Sequence, residues 1–235
     1  MRKPKVLVFA SGTPAGGGSG FENLVRQADL GDLGRFDAHI VGVVSNYREG
    51  GVSQRALRRR VRFFYFPAPW DTESYQRLAA ESGADFFLLS GWLKYVVGLD
   101  PARTFNIHPG NLPRFGGGGM HGARVHEATM SAFWTGTVQH SAVCMHFISP
   151  HNPKKACAEQ YDRGPVFLRQ QVLIKPSDTA ETLARRVHKV EHLMQPEISN
   201  LVVHGEIRWD GKRMRSLRLP SGYRIDRCPE EAAAA

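Results

Sequence analysis

The chain has 235 residues, 42% hydrophobic and 23% charged, which fits one large globular domain, with or without an appendage, and excludes a fibrous or disordered chain. No apolar run approaches the roughly 18 residues that cross a bilayer, which argues against a membrane protein, and the three cysteines, Cys144, Cys157 and Cys228, lack metal spacing and suit a reducing cytoplasm. A formal net charge of +9 favours anionic partners, whether nucleic acid, phosphorylated metabolites or polyglutamylated cofactors, and nothing in the composition fixes an oligomeric state.

In chain order, KVLVFA (5–10) reads as a first strand rather than a signal peptide, because Gly-rich sequence follows it instead of a cleavage site. The loop SGTPAGGGSG (11–20) leads into a helix over 21–28, with Phe21, Leu24 and Val25 on one face. A strand over 38–46, a basic helix over 53–60 and a strand over 61–67 come next, then an amphipathic helix over 72–83 with a Gly stop. Apolar strands are expected at 84–92 and 103–110. Strands alternating with helices imply βαβ units, so the fold class is α/β, an open, mainly parallel twisted sheet with flanking helices and ligands beyond the carboxyl ends of the strands.

The second part changes character. A Gly-rich loop runs into a helix over 114–132, and two strands, 139–148 and 165–174, joined by the long loop SPHNPKKACAEQYDRG (149–164), form an antiparallel C-terminal addition. A helical pattern covers 178–205, divided or kinked at Pro196. Residues 1–205 make the main domain. Residues 206–235 are a basic extension in which Asp-Gly suggests a hairpin, with a loose end.

Chemistry concentrates in TFNIHPGNLPRF (104–115). If Phe105 and Ile107 are buried, strand alternation points Asn106 and His108 the other way together, and Pro109 ends the ladder. An amide and an imidazole then stand side by side at a strand end. Asp162, in YDRGPVF (161–167), is by residue type a turn former.

NIHPGNLP resembles the H-P-x-x-L-P signature of the folate-dependent formyltransferases, and YDRGPV resembles their D-x-G-P-V segment. The order of KVLVFASG, VGVVSN, LLSGW, NIHPGNLP, DRGPV and VEH, over roughly residues 5–205, is most similar to the members that formylate glycinamide ribonucleotide. The resemblance implies a formyl transfer from 10-formyltetrahydrofolate, without a metal, in purine biosynthesis. Asn106, His108 and Asp162 would be catalytic, with the Asn106 N–H and a protonated His108 stabilising the oxyanion. Asp162 would raise the imidazole pKa and help a water relay the proton of the amine. Gly91, Trp92, Leu93, Lys94 and Ile107 would wall the folate. Gly18, Ser19, Gly20, Asn23 and Glu191 would bind the substrate, with the phosphate on the loop's backbone N–H groups.

The sequence departs from that family in four places. The opening turn is stretched, with Glu22 beside Asn23; the loop before Asp162 is long; HPGNLP lacks the common serine after the proline; and the basic tail has no counterpart. Glu22 is expected to turn to solvent while Phe21 packs inward. Two rivals stay within the fold, a formyltransferase for another amine such as an amino sugar nucleotide, and a formyltetrahydrofolate hydrolase. A third is of another class, a basic nucleic-acid-binding module supported by RALRRRVR (55–62); nucleic acid is not the expected partner, because such a module has no use for the trio.

Overall fold

The computed structural model describes residues 2–228. Its centre is an eight-stranded sheet in the order β3-β2-β1-β4-β5-β6-β7-β8. The strands are β1 (Lys5–Phe9), β2 (His39–Ser45), β3 (Phe63–Tyr65), β4 (Phe86–Ser90), β5 (Thr104–His108), β6 (His140–Phe147), β7 (Val166–Leu173) and β8 (Asp226–Arg227). Strands β3 to β5 are mutually parallel, β6 is antiparallel to β5 and β7, and β8 returns parallel to β7. The mainly parallel sheet with an antiparallel C-terminal side is the one the sequence implies.

The helices are α1 (Ser19–Asp29), α2 (Gly51–Arg59), α3 (Thr72–Ser82), α4 (Ala123–Trp134), α5 (Cys157–Gln160) and α6 (Ala180–Val203). Strand alternation sorts them into layers. Val6 and Val8 enter one core with Phe21 and Leu24 of α1, Met130 of α4 and Leu183, Val187 and Ile198 of α6. Leu7 and Phe9 enter the other with Tyr75 and Leu78 of α3 and with Trp92, Val96 and Leu99 after β4. Both faces of the sheet are covered, so the strands read as near-continuous apolar runs. Asp71 caps α3 by accepting the Ser74 N–H at 2.9 Å, and Gly83 ends it at φ 59°.

From β1 the chain winds outward through β2 and β3, then crosses back to β4 on the other side of β1. The crevice beyond the carboxyl ends of β1 and β4 is therefore the topological switch point, where ligands of open α/β sheets bind. Ser11 bridges it: its N–H donates to the Gly91 carbonyl at 2.9 Å, and its Oγ accepts the Leu93 N–H at 3.0 Å.

Two elements differ from the sequence reading. Helix α6 is one continuous element with Pro196 buried inside it. Proline lacks the N–H that would bond the carbonyl of His192 four residues back, and Asn23 Nδ2 donates to that carbonyl instead, at 2.7 Å. The gap is filled from α1. In the tail, the expected hairpin is reduced to a single antiparallel bridge between Arg208 and Arg218. Asp210 folds the residues between them by accepting the Lys212 and Arg213 N–H groups at 2.8 and 2.9 Å. Packing does not break at residue 205, because Ile207 and Trp209 belong to the same core as α6. The loose end expected over 229–235 lies outside the described residues.

Candidate active site

Strand β5 lies between β4 and β6, and alternation disposes its side chains as its pattern requires. Phe105 and Ile107 enter the helix-covered core; Asn106 is half-buried, and His108 is buried at the strand end with 5% exposure. Directly across the antiparallel ladder from Asn106 stands His146 of β6. Asp162 reaches the same point from the turn before β7, at φ 56°. Asp and Asn are the non-glycine residues that best tolerate that conformation.

The four groups form one network. His146 Nδ1 donates to the Phe147 carbonyl at 2.8 Å, and its Nε2 lies 3.1 Å from Asn106 Nδ2 and 3.3 Å from Asp162 Oδ1. Asp162 Oδ2 accepts the Gly117 N–H at 2.9 Å and stands 3.8 Å from His108 Nδ1. His108 Nε2 donates to the Phe115 carbonyl at 2.6 Å, since a carbonyl can only accept. That bond fixes the tautomer of the neutral ring, with Nδ1 bare and turned toward the Asp162 carboxylate. The second Asn106 N–H makes only a 3.4 Å contact with Asp162 and can be redirected to a ligand.

Electrostatics move the two titratable partners in the same direction for different reasons. Burial raises the cost of the Asp162 charge, but its contacts with His146 and His108 and the Gly117 N–H outweigh it and hold the carboxyl at about 2. His108 shifts down as well. Burial lowers its pKa below 6.5 and prevails over the attraction of Asp162 and the Phe115 bond. The resemblance implies a protonated His108, and burial in this structure works against that charge while Asp162 works for it.

Two cavities meet here. One of about 650 Å³ is lined by Gly91, Trp92, Leu93, Asn106, Ile107 and His108, and beyond them by Asp162, Glu191 and the glycine segment 117–119. A smaller recess of about 60 Å³ lies behind Asn106, with Trp92, Lys94 and Tyr161 in its wall. The second cavity, about 260 Å³, is lined by Gly18, Ser19, Gly20, Ser90, His188 and Gln195 among others. Gly91, Ile107 and Glu191 line both large cavities and mark their junction.

Most of the residues singled out from the sequence are thus brought together, with exceptions. Asn23 does not line the second cavity, because its amide is occupied by the carbonyl that Pro196 leaves free. Lys94 walls the recess rather than the main cavity, with its ammonium over the Trp70 ring at 4.3 Å. Trp92 lends one edge to the cavities, but it is mainly core, stacked on Phe66 and donating to the Tyr75 hydroxyl at 2.9 Å. Phe21 packs inward as expected, whereas Glu22 does not turn to solvent but pairs with Arg55 and Arg59 of α2. Sequence reading missed His146, and also His188, whose Nε2 lies 3.3 Å from Ser19 Oγ. His146 sits in an ordinary alternating strand, and only the β5–β6 register sets it against Asn106.

The comparisons with known proteins agree with this geometry. The family model described as Formyl transferase matches residues 4–198. The chain is 31% identical over 219 residues to the chloroplastic phosphoribosylglycinamide formyltransferase of Arabidopsis thaliana, covering 88% of this chain and 68% of that protein. It is 26% identical to the phosphoribosylglycinamide formyltransferase of Bacillus subtilis (strain 168), covering 83% of this chain and 92% of that one. Among solved structures, the phosphoribosylglycinamide formyltransferase from Brucella melitensis superposes with a TM-score of 0.65 at 28% identity, covering 86% of this chain and 95% of that one. With the match spanning most of its length, the chain belongs to the formyl transferase family.

Proposed function

We propose that this protein transfers the formyl group of 10-formyltetrahydrofolate to the amine of glycinamide ribonucleotide, the acceptor for which the relatives above are named, as a step of purine biosynthesis. The observation that carries the reading is the pair of cavities meeting at Gly91, Ile107 and Glu191, with Asn106, His108 and Asp162 in the wall of the larger one. A two-substrate transfer needs two sites that open onto one reacting centre. The larger cavity, with apolar walls and a few convergent polar groups, suits a pterin and aryl ring; the smaller, floored by a glycine loop running into the start of α1, suits a phosphate ester.

The donor supplies an electrophilic formyl carbon, and this chain's residues handle charge and protons. The redirected Asn106 N–H meets the oxyanion that develops when the amine adds. His108 Nδ1 is bare at rest and takes the amine's proton; the imidazolium so formed lies beside Asp162, which stays ionised and stabilises it. The same proton is then available to the folate nitrogen that leaves.

Among the described residues no helix is long and apolar enough to cross a membrane. The three free cysteines support the reading that the protein works in a reducing compartment, the cytoplasm. The test of function is an incubation with 10-formyltetrahydrofolate and glycinamide ribonucleotide, following tetrahydrofolate and the formylated product together. Amine-dependent release of both is expected. Tetrahydrofolate and formate released without an amine would make the protein a hydrolase, and turnover only with another amine would overturn the acceptor.

A further inference from the structure

Residues 12–20 have the composition of a flexible linker, yet they floor the acceptor cavity, and Gly18, the residue that precedes α1, has no side chain with which to cap it. Glu22 N–H already donates to the Gly18 carbonyl at 3.0 Å, but the N–H groups of Ser19, Gly20 and Phe21 before it lie at the open end of α1, so they serve a ligand only if the loop holds them in place. What holds it comes from α2. Gly51 lies so close to Gly16 that a Cβ there would meet its backbone at 2.3 to 2.6 Å, and its N–H donates to the Thr13 carbonyl at 3.3 Å. Val52 fills the space beside Gly12 and Gly18.

Arg55 closes the arrangement. Its Nε donates to the Gly17 carbonyl at 2.9 Å, and its Nη1 pairs with Glu22 in the first turn of α1. Arg59 Nε donates to the other carboxylate oxygen of Glu22 at 3.2 Å, without touching the loop's carbonyls. Two oddities of the sequence, a carboxylate beside an anion-binding loop and the basic run 55–62, pair with each other, and Arg55 alone among the three partners carries the pairing on to the loop. The guanidinium groups offset the Glu22 charge, and the carboxylate stays out of the acceptor cavity.

We propose that Arg55 is a positioning residue for the phosphate of the acceptor, acting by tying the Gly17 carbonyl and the first turn of α1 into one fixed arrangement. The inference rests on the proposed acceptor carrying a phosphate ester, and it deepens that reading by naming what in this chain sets its affinity.

The experiment compares wild type, Arg55→Ala and Arg59→Ala in two measurements: steady-state kinetics with glycinamide ribonucleotide and 10-formyltetrahydrofolate, and calorimetric titration with ribose 5-phosphate. Arg55→Ala is expected to raise the acceptor KM and the ribose 5-phosphate Kd about tenfold, the scale of one charge-assisted hydrogen bond, with kcat and the donor KM within about twofold. Arg59→Ala, which leaves the Gly17 contact, is expected to change neither by more than about threefold. If Arg55→Ala does not yield folded protein, Arg55→Lys carries the test. One ammonium cannot reproduce both contacts, so the same parameters rise severalfold. The proposal is overturned if the Arg55 variant leaves the ribose 5-phosphate Kd within twofold, if kcat falls along with both KM values, or if wild type does not bind ribose 5-phosphate. Binding that Arg55→Ala weakens, in an enzyme that does not turn over glycinamide ribonucleotide, would support the positioning role and sink the acceptor.

Discussion

The two halves of the site are built on opposite plans. On the donor side, Asn106, His108, His146 and Asp162 come from two neighbouring strands and a tight turn, and three of the four are mostly buried. Their positions follow from strand register, which cannot shift by one residue without turning every side chain to the other face. On the proposed acceptor side, five of the nine residues from 12 to 20 are glycine, and the groups proposed to hold the phosphate are backbone N–H groups. Glycine lets the chain approach an anion closely but loses the most conformational freedom when it is fixed, so this half depends on neighbours to hold it. The difference teaches that damage to the first half should be read in turnover, and damage to the second in affinity.

The largest effects are expected where the reacting groups themselves are removed. Asn106→Ala and His108→Ala should each lower kcat by about 10²–10³, with the acceptor KM little changed. His108→Ala should also lower Tm by a few degrees, because the buried Phe115 carbonyl loses its donor, at about 1–3 kcal/mol. Near-normal kcat in either variant would remove that residue from the mechanism. His146→Phe should act more weakly, lowering kcat about tenfold as Asn106 and Asp162 lose the ring that orients them. An effect as large as that of His108→Ala would give His146 a direct part in the reaction.

Acid separates the two halves further, because the titrating groups proposed for catalysis sit on the donor side. With the His108 pKa lowered below 6.5, kcat/KM should be flat above neutrality and fall as pH drops below that value, as the base becomes protonated. Asp162→Asn removes a negative charge that favours imidazolium, so its acid limb should move to lower pH as its rate falls. A limb that moves upward would reverse the assignment. Stability titrates separately. The Asp162 carboxyl is at about 2 folded against 3.8 unfolded, so its contribution is complete above 3.8 and is lost as pH falls towards 2. The smallest expected effect on catalysis is that of Asn23→Ala. It leaves the His192 carbonyl without a donor and should lower Tm, while both KM values stay within about twofold. A large rise in acceptor KM would return Asn23 to the substrate.

How much of this was legible in the sequence depends on the range of the interactions involved. Alternation within five residues was enough to turn Asn106 and His108 away from Phe105 and Ile107, and the resemblance supplied Asp162. His146 was hidden because its partner lies across a ladder whose register only the fold determines. The role of Asn23 depends on a proline far along the chain, and that of Glu22 on arginines of another helix. Strand β8 has two residues, too few to show any period. The lowered pKa of His108 comes chiefly from depth of burial, which no local pattern states.

The measurement that bears most directly on the account is a side-by-side kinetic analysis of His108→Ala and Arg55→Ala with 10-formyltetrahydrofolate and glycinamide ribonucleotide. His108→Ala is expected to lose about 10²–10³ in kcat at nearly constant acceptor KM, and Arg55→Ala to raise acceptor KM about tenfold at nearly constant kcat. If both variants moved the same parameter, the division between a sheet that performs the chemistry and a braced loop that holds the acceptor would be contradicted.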